Sequence, residues 1–258
     1  MPVPNSPLLR AVRMNDSERM ICRDADQLAQ AAARRISQWA AQSILERGQF
    51  TIALAGGSTP ARTYRLLAHG VGETSIDWSK TWLFFGDERC VPREDDRSNY
   101  RMVRETLLSP ASIAPDHVFP IPTLSSPGES AGDYAATLQQ FFRTSASQLP
   151  VFDVILLGLG DDGHTASLFP HAAALDVVDV PVTNSPPGTL PPPVDRVTLT
   201  YPVLNSARHV MFLVSGESKA VALADVWSGH ADAHDRPAAG VRPCGTLTWL
   251  VDQAAAPR

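Results

Sequence analysis

The chain has 258 residues, of which 44% are hydrophobic and 19% charged, and its formal net charge is −5. This composition is typical of a globular protein with a sizeable core, and an acidic chain without a long Lys/Arg run argues against nucleic-acid and anionic-membrane partners. Three scattered cysteines without a CxxC pair, Cys22, Cys90 and Cys244, argue against a disulfide framework or a zinc site. No apolar run reaches the roughly 18 residues of a membrane-spanning helix, and the N-terminus lacks a signal peptide's apolar centre. We therefore expect a cytoplasmic protein.

The first third of the chain alternates between helix and strand patterns. Residues 24–47 predict a long helix that Asp24 or Asp26 caps and Gly48 ends. A strand over residues 50–55 follows.

Two further helices are predicted from their first residues. Pro60 suits the first position of a helix, with Thr59 as its cap. A buried strand, Thr81–Phe85, comes next, and Ser98 is expected to cap a helix that continues through Leu108.

The second half continues the alternation around two loops. A helix is predicted from about residue 129 to 143, and residues 152–157 form an apolar, partly β-branched run that is typical of a strand covered on both faces. The proline-rich residues 183–196 are expected to form a loop without regular structure. The remaining predicted elements are strands at 196–200, 209–214 and 247–251 and a helix at 217–227.

This alternation predicts an α/β fold with an open, mostly parallel, Rossmann-like sheet and helices on both of its faces. We expect residues 1–258 to form a single domain, since no repeat or low-complexity linker divides the chain.

Two glycine-rich turns follow predicted strands. Gly56, Gly57, Ser58 and Thr59 combine backbone N–H groups, two hydroxyls and a helix start, which suits a phosphate monoester, although a tight turn alone also needs glycine. The lysine and spacing of a nucleotide P-loop are missing, so ATP or GTP is not indicated.

The second turn, GLGDDG at 158–163, matches the dinucleotide pattern GxGxxG. Its two carboxylates, Asp161 and Asp162, would stand where a pyrophosphate has to approach, which argues against an NAD-type cofactor. We expect no cofactor and no metal.

His164 is the residue best suited to proton transfer at neutral pH, because an unperturbed imidazole has a pKa of about 6.5 and a neighbouring carboxylate can orient the ring. The alternative is a histidine that only satisfies the carbonyls of a turn. The sequence leaves open whether Asp161 or Asp162 is its partner.

Three cationic residues follow other strands or loops. Asp87 and Arg89 belong to the motif GDER, where the arginine can bind a phosphate or carboxylate through two hydrogen bonds or can join a solvated salt-bridge cluster. Lys219 lies at the start of a predicted helix, where a phosphate could bind. Arg196 follows the proline-rich loop and would either lock this loop as an ion-pair partner or bind an anion.

The motif GHADAHD at residues 229–235 places His230 and His234 four residues apart, a spacing that can bind a metal. The flanking Gly229 and Pro237 favour a mobile, solvated loop instead.

Six segments in order resemble the 6-phosphogluconolactonase family and span nearly the whole chain. They are ALAGGSTP, FFGDERCVPREDDRSNYRMVRETLL, LLGLGDDGHTASLFP, DRVTLTYPVLNSA, LVSGESKA and RPCGTLTWLVDQAAA. The resemblance implies a fold related to the sugar-phosphate isomerases and deaminases, and metal-independent hydrolysis of 6-phospho-D-glucono-1,5-lactone in the oxidative pentose phosphate pathway. The implied partner is this small phosphorylated sugar lactone.

The same resemblance implies roles for individual residues. His164 would be the general base and Asp162 its structural partner, while the turn at 56–59 would belong to the sugar-phosphate site. Arg89, Arg196 and Lys219 would bind phosphate or lactone oxygens. The sequence does not decide which of them binds the phosphate and which binds the lactone. We expect a monomer, and a homodimer remains open.

Two rival functions remain. A sugar-phosphate deaminase or isomerase resembles this pattern but carries an acid five residues after the histidine, where this chain has Phe169. Asp87 occupies the position of that family's carbon-acid base and keeps this rival open. A sugar-phosphate sensor without catalysis would ordinarily carry a DNA-reading segment, and only about twenty residues precede the first predicted helix.

Overall fold

The structure, a computed structural model, describes residues 11–14, 17–70, 75–145, 148–189 and 192–257. Its main sheet has eight strands, of which seven run parallel and β1 pairs antiparallel with β2 at one edge. In spatial order the strands are β1 (Ala11–Met14), β2 (Ser17–Cys22), β11 (Thr246–Asp252), β10 (His209–Val214), β7 (Val154–Leu157), β3 (Phe50–Leu54), β4 (Thr81–Phe85) and β6 (Val118–Phe119).

Every residue of β3 and β7 is buried, so both faces of the sheet are covered. The covering helices are α1 (Ala25–Arg47), α2 (Ser58–His69), α3 (Asn99–Val103), α4 (Pro127–Phe142), α5 (Tyr201–Ser206) and α6 (Ala220–Trp227). The mostly parallel α/β sheet flanked by helices is confirmed. Within the described residues, no helix is long and apolar enough to cross a membrane.

Several predicted helix ends are confirmed by their capping groups. Asp24 Oδ1 accepts a hydrogen bond from Gln27 N at 2.8 Å, and Gly48 ends α1 with φ of 77°. Ser98 accepts from Arg101 N at 3.2 Å, and the helix that begins there continues through a π-helical turn, Arg104–Leu108.

Two other helix starts differ from the prediction. Thr59 is not a cap: α2 begins at Ser58, preceded by Gly57, whose φ of 102° favours glycine. The fourth helix begins at Pro127, because Ser126 and Glu129 form a reciprocal capping box.

A second, three-stranded antiparallel sheet was not predicted. It consists of β5 (Asp87–Arg89), β9 (Arg196–Leu199) and β8 (Val182–Ser185), with β9 in the middle. The expectation of a structureless 183–196 loop is therefore wrong at its start, because its first three residues lie in β8, whereas the strand predicted from residue 196 is confirmed as β9. Pairing with β9 stabilises strands too short and polar to be recognised from local sequence.

Strand order places the ends of β3 and β7 at a crevice. From β3 the chain continues outward to β4 and β6, whereas from β7 it continues in the opposite direction to β10 and β11. Ligands bind at such topological switch points, outside the carboxyl ends of the parallel strands. The turns at 56–59, 86–89 and 158–164 all leave the main sheet at this edge.

Candidate functional site

A cavity of about 240 Å³ lies at the carboxyl ends of β3, β4 and β7. It contains most of the residues that the sequence singled out. Its lining comprises Ala55, Gly56, Gly57, Gly86, Asp87, Arg89, Asn99, Leu156, Leu157, Gly158, Leu159, Gly160, His164, Ala166, Arg196 and Lys219. Ser58 and Thr59 are in the first turn of α2, next to the cavity but outside its lining.

His164 is oriented by Asp162. Its Nδ1 lies 2.6 Å from Asp162 Oδ1, and its backbone N–H donates to the same oxygen at 3.0 Å. Burial opposes ionisation of Asp162, but the two hydrogen bonds and the charge of His164 outweigh it and lower the pKa of the carboxyl. An ionised carboxylate only accepts hydrogen bonds, so Nδ1 carries a proton and Nε2 of the neutral ring is left as a base.

The backbone of the 158–164 turn brings these side chains together. Gly160 N donates to His164 O at 2.8 Å, and Gly163 N donates to Gly160 O at 3.0 Å. A Cβ at Gly160 would collide with the His164 ring and the Asp162 carboxylate. The close approach of His164 and Asp162 therefore requires a glycine at this position.

Asp161, the alternative partner, faces another residue. Its Oδ1 accepts hydrogen bonds from Lys219 Nζ and, at 3.0 Å, from Ser218 Oγ. The bond from Lys219 is the main reason that the pKa of Asp161 lies below its usual value. Asp162 is thus the carboxylate that contacts the histidine, and Asp161 holds the lysine at the cavity.

Two arginines face each other across the small sheet. Arg89 on β5 is the direct partner of Arg196 on β9. The Arg196 guanidinium donates to Val194 O at 3.1 Å and to Pro192 O at 2.9 Å, so this residue does lock the proline-rich loop. Burial lowers the pKa of Arg196, while the negative charge of Asp87 opposes this shift and the charge of Arg89 adds to it.

The arginine pair has unused hydrogen-bonding capacity. Arg196 is 4% exposed, and Nε of Arg89 is buried without a partner among the residues that the structure describes. Like charges directly opposite each other destabilise a sheet. An anion between the two guanidinium groups would remove this repulsion and supply the missing acceptor.

Asp87 and Glu88 hold the neighbouring strand end in place. The Asp87 carboxylate accepts hydrogen bonds from Ser167 Oγ at 2.6 Å and from Asn99 Nδ2 at 3.1 Å. Glu88 accepts from the backbone N–H of Asn99 and of Tyr100, both at 2.7 Å, at the start of α3. Asn99 and Glu88 were missed by sequence reasoning, and the adjoining helix cap at Ser98 was the available signal.

Phe169 forms one wall beside the histidine. Its ring centroid lies 4.8 Å from that of His164, and the Arg196 guanidinium lies 5.6 Å from the same ring. A Cβ at Gly188 of the proline-rich segment would collide with this ring. The position five residues after the histidine therefore holds an apolar ring that packs between His164 and the proline-rich segment.

A larger, open cleft of about 880 Å³ adjoins Asp162 and is lined by residues 169–172, residues 186–189 and parts of 225–236. Here His171 Nε2 lies 3.3 Å from Asp235 Oδ1, and His234 Nε2 lies 3.2 Å from Asp176 Oδ1. Among the described residues, no group of three or more His, Cys, Asp or Glu side chains is arranged to hold a metal ion.

Comparisons with known proteins identify relatives that match most of the chain. Residues 23–249 match the family model described as glucosamine-6-phosphate isomerases/6-phosphogluconolactonase. The chain belongs to this family. A 6-phosphogluconolactonase of Synechocystis is 44% identical over 215 residues, which cover 83% of this chain and 86% of the relative. A Mycobacterium tuberculosis 6-phosphogluconolactonase is 38% identical over 242 residues, 90% of this chain and 94% of the relative.

Solved structures of the family have the same fold. The 6-phosphogluconolactonase from Trypanosoma cruzi superimposes with a TM-score of 0.83 at 30% identity, covering 95% of this chain and 97% of that one. The Trypanosoma brucei enzyme gives 0.79 at 32% identity, covering 94% of this chain and 98% of that one. The relation to sugar-phosphate isomerases that the sequence implied is confirmed by the family match.

Proposed function

We propose that the protein hydrolyses 6-phospho-D-glucono-1,5-lactone to 6-phospho-D-gluconate in the oxidative pentose phosphate pathway. One observation carries the proposal: a histidine oriented by a carboxylate lines the same cavity as a cross-strand pair of arginines, of which Arg196 is buried. The first supplies a base for water and the second suits a phosphate. The names of the relatives support this substrate class.

In the proposed reaction, His164 Nε2 removes a proton from a water molecule as its oxygen attacks the lactone carbonyl. Asp162 stabilises the imidazolium that forms, a role that its ionised state and its contact at Nδ1 permit. The same imidazolium then returns the proton to the ring oxygen as the C–O bond breaks, which yields the open acid. Ser167 has no nucleophilic role here, since its hydroxyl is buried and donates to Asp87.

We assign the phosphate to Arg89 and Arg196, with the N–H groups of the Gly56–Gly57 turn beside them. The assignment rests on cross-strand repulsion that a dianion would remove. Lys219 follows the β10 loop and is held by Asp161 next to the histidine's own turn. We assign its ammonium to the lactone oxygens, where it would stabilise the developing negative charge.

The geometry supports hydrolysis over deamination or isomerisation. Those reactions move protons between carbon atoms and need more than one acid/base group. Phe169 packs against the histidine where the rival family has an acid. Both carboxylate oxygens of Asp87 accept internal hydrogen bonds, so this group is engaged in the scaffold.

The test is the rate of acid release from freshly generated 6-phosphogluconolactone above its spontaneous opening, with a chelator present. We expect rapid, chelator-insensitive hydrolysis. An Arg196→Met variant should raise KM by tenfold or more through loss of one charge-assisted bidentate contact. If the protein has no lactonase activity but releases ammonia from glucosamine 6-phosphate, the deaminase function is supported. If it binds 6-phosphogluconate and catalyses neither reaction, the sensor function is supported.

A further inference from the structure

Arg236 directly follows the motif at 229–235 that the sequence predicted as a solvated loop, and its side chain packs against the back of the turn at 158–164. Arg236 Nε and Nη2 contact Asp225 Oδ2 on α6 at 2.9 and 2.8 Å. Its Nη1 donates to the backbone carbonyl of Asp162 at 3.2 Å. This arginine therefore connects a helix to the peptide that follows the carboxylate.

The next peptide is held by residues 236–238. A Cβ at Gly163 would lie 2.5 Å from Arg236 Cδ, so the arginine stem packs directly against this residue. Ala238 N also donates to Gly163 O at 2.9 Å. The two consecutive carbonyls at 162 and 163 thus both accept hydrogen bonds from the 236–238 segment.

The carboxylate itself has few contacts of its own. Its Oδ1 receives both bonds from His164, whereas Oδ2 is buried and has no hydrogen-bond partner within the described part of the chain. No second side chain therefore fixes its rotation. The position of Oδ1 depends on the backbone of Asp162, which is the group that Arg236 holds.

We propose that Arg236 is a positioning residue that clamps the Asp162–Gly163 backbone and thereby keeps the Asp162 carboxylate on His164 Nδ1. This inference rests on the proposed function. Arg236 does not line the inner cavity and reaches the reacting atoms through the Asp162–Gly163 backbone, so its removal should affect the chemical step and leave substrate binding in that cavity unchanged.

The first experiment compares kcat and KM of Arg236→Met with those of the wild type. We expect kcat to fall about tenfold with KM changed less than twofold, because a small misplacement of a catalytic pair has large effects on rate. Arg236→Lys should be intermediate, since one ammonium cannot reproduce the bidentate contact with Asp225. Arg242→Met is the matched control: Arg242 lies six residues further along the chain, donates to Ala239 O at 3.2 Å, and should retain full activity.

The decisive comparison repeats Arg236→Met in an Asp162→Asn background. If Arg236 acts through the carboxylate, the tenfold loss should shrink to less than twofold there, because coupled residues are not additive. An equal loss in both backgrounds, or an unchanged kcat in the single variant, overturns the proposal. A wild type without lactonase activity would instead overturn the proposed function.

A spectroscopic readout keeps the inference testable without turnover. The Nδ1–H proton of His164, hydrogen-bonded to a carboxylate at 2.6 Å, should give a downfield imidazole NMR signal that His164→Gln lacks. We expect Arg236→Met to weaken or lose this signal while Arg242→Met retains it. Retention of an unshifted signal in Arg236→Met would contradict the clamp.

Discussion

The floor of the inner cavity and the rim of the outer cleft are held by different interactions. On the floor, the buried hydroxyl of Tyr64 bonds to both N and O of Ala55 at 2.9 Å, directly after β3. The buried hydroxyl of Tyr134 does the same at Phe85, at 2.9 and 3.2 Å, at the end of β4. Two helices thereby fix two strand ends from which the binding turns start.

On the rim, two histidine–aspartate contacts join the segment after the catalytic turn to the 230–236 segment. The side chains of His171 and Asp235 are 71% and 64% exposed, and those of His234 and Asp176 are 52% and 70% exposed. Water can replace such contacts at little cost, whereas a buried polar group without its partner bears the full desolvation penalty. The contacts on the floor are therefore expected to contribute more to stability than the histidine–aspartate contacts on the rim.

The largest expected effect is on the floor. His164→Ala should lower kcat by about 10² to 10⁴, the usual contribution of a general base. His171→Ala on the rim is the matched control and should remain within about twofold of the wild type. Steady-state acid release measures both. An alanine variant at 164 that keeps more than a tenth of the wild-type rate would remove the proposed base.

Asp162→Asn should lower kcat by about tenfold or more, since an amide can donate to Nδ1 and stabilise the wrong tautomer. It should also change the pH dependence of stability. The folded-state pKa of Asp162 lies below the usual 3.8, so its contribution is present above pH 3.8 and is lost as the pH falls through the lower folded value. Urea unfolding from pH 7 to 3 should show a difference between wild type and variant that begins to shrink as the pH falls below about 4. A constant difference would contradict the assignment.

Tyr64→Phe should destabilise the protein by about 1–3 kcal/mol, because it leaves buried N–H and C=O groups of Ala55 without their partner. Tyr201→Phe provides the rim comparison: this half-buried hydroxyl makes one bond, to Pro237 O at 2.7 Å, and should cost about 0.5–1.5 kcal/mol. Chemical denaturation measures both. Equal losses would contradict the contrast between floor and rim.

The smallest effect is expected for the rim contact between His234 and Asp176. His234→Gln should change the free energy of unfolding by less than about 0.5 kcal/mol and leave kcat unchanged. The same denaturation and rate measurements apply. A loss as large as that of Tyr64→Phe would show that this rim contact contributes as much to stability as the contacts on the floor.

The sequence by itself determined the central strands of the main sheet and the location of the candidate site, but it did not predict β1, β2 and β6. Helix α1 and strands β3, β4, β7 and β10 follow from apolar periodicity and capping residues, which are local signals. Glycine-rich and charged turns after three strands were sufficient to predict a shared site, because parallel strands end at one edge of the sheet.

Only the tertiary structure decided which groups contact each other within that site. Asp161 and Asp162 are chemically identical neighbours, and backbone direction alone turns one to Lys219 and the other to His164. The pairing of Arg89 with Arg196 requires two short strands about a hundred residues apart to meet, which no local pattern encodes. The clamp by Arg236 depends likewise on a long-range contact, since its position is set by packing against α6 rather than by its neighbours in sequence.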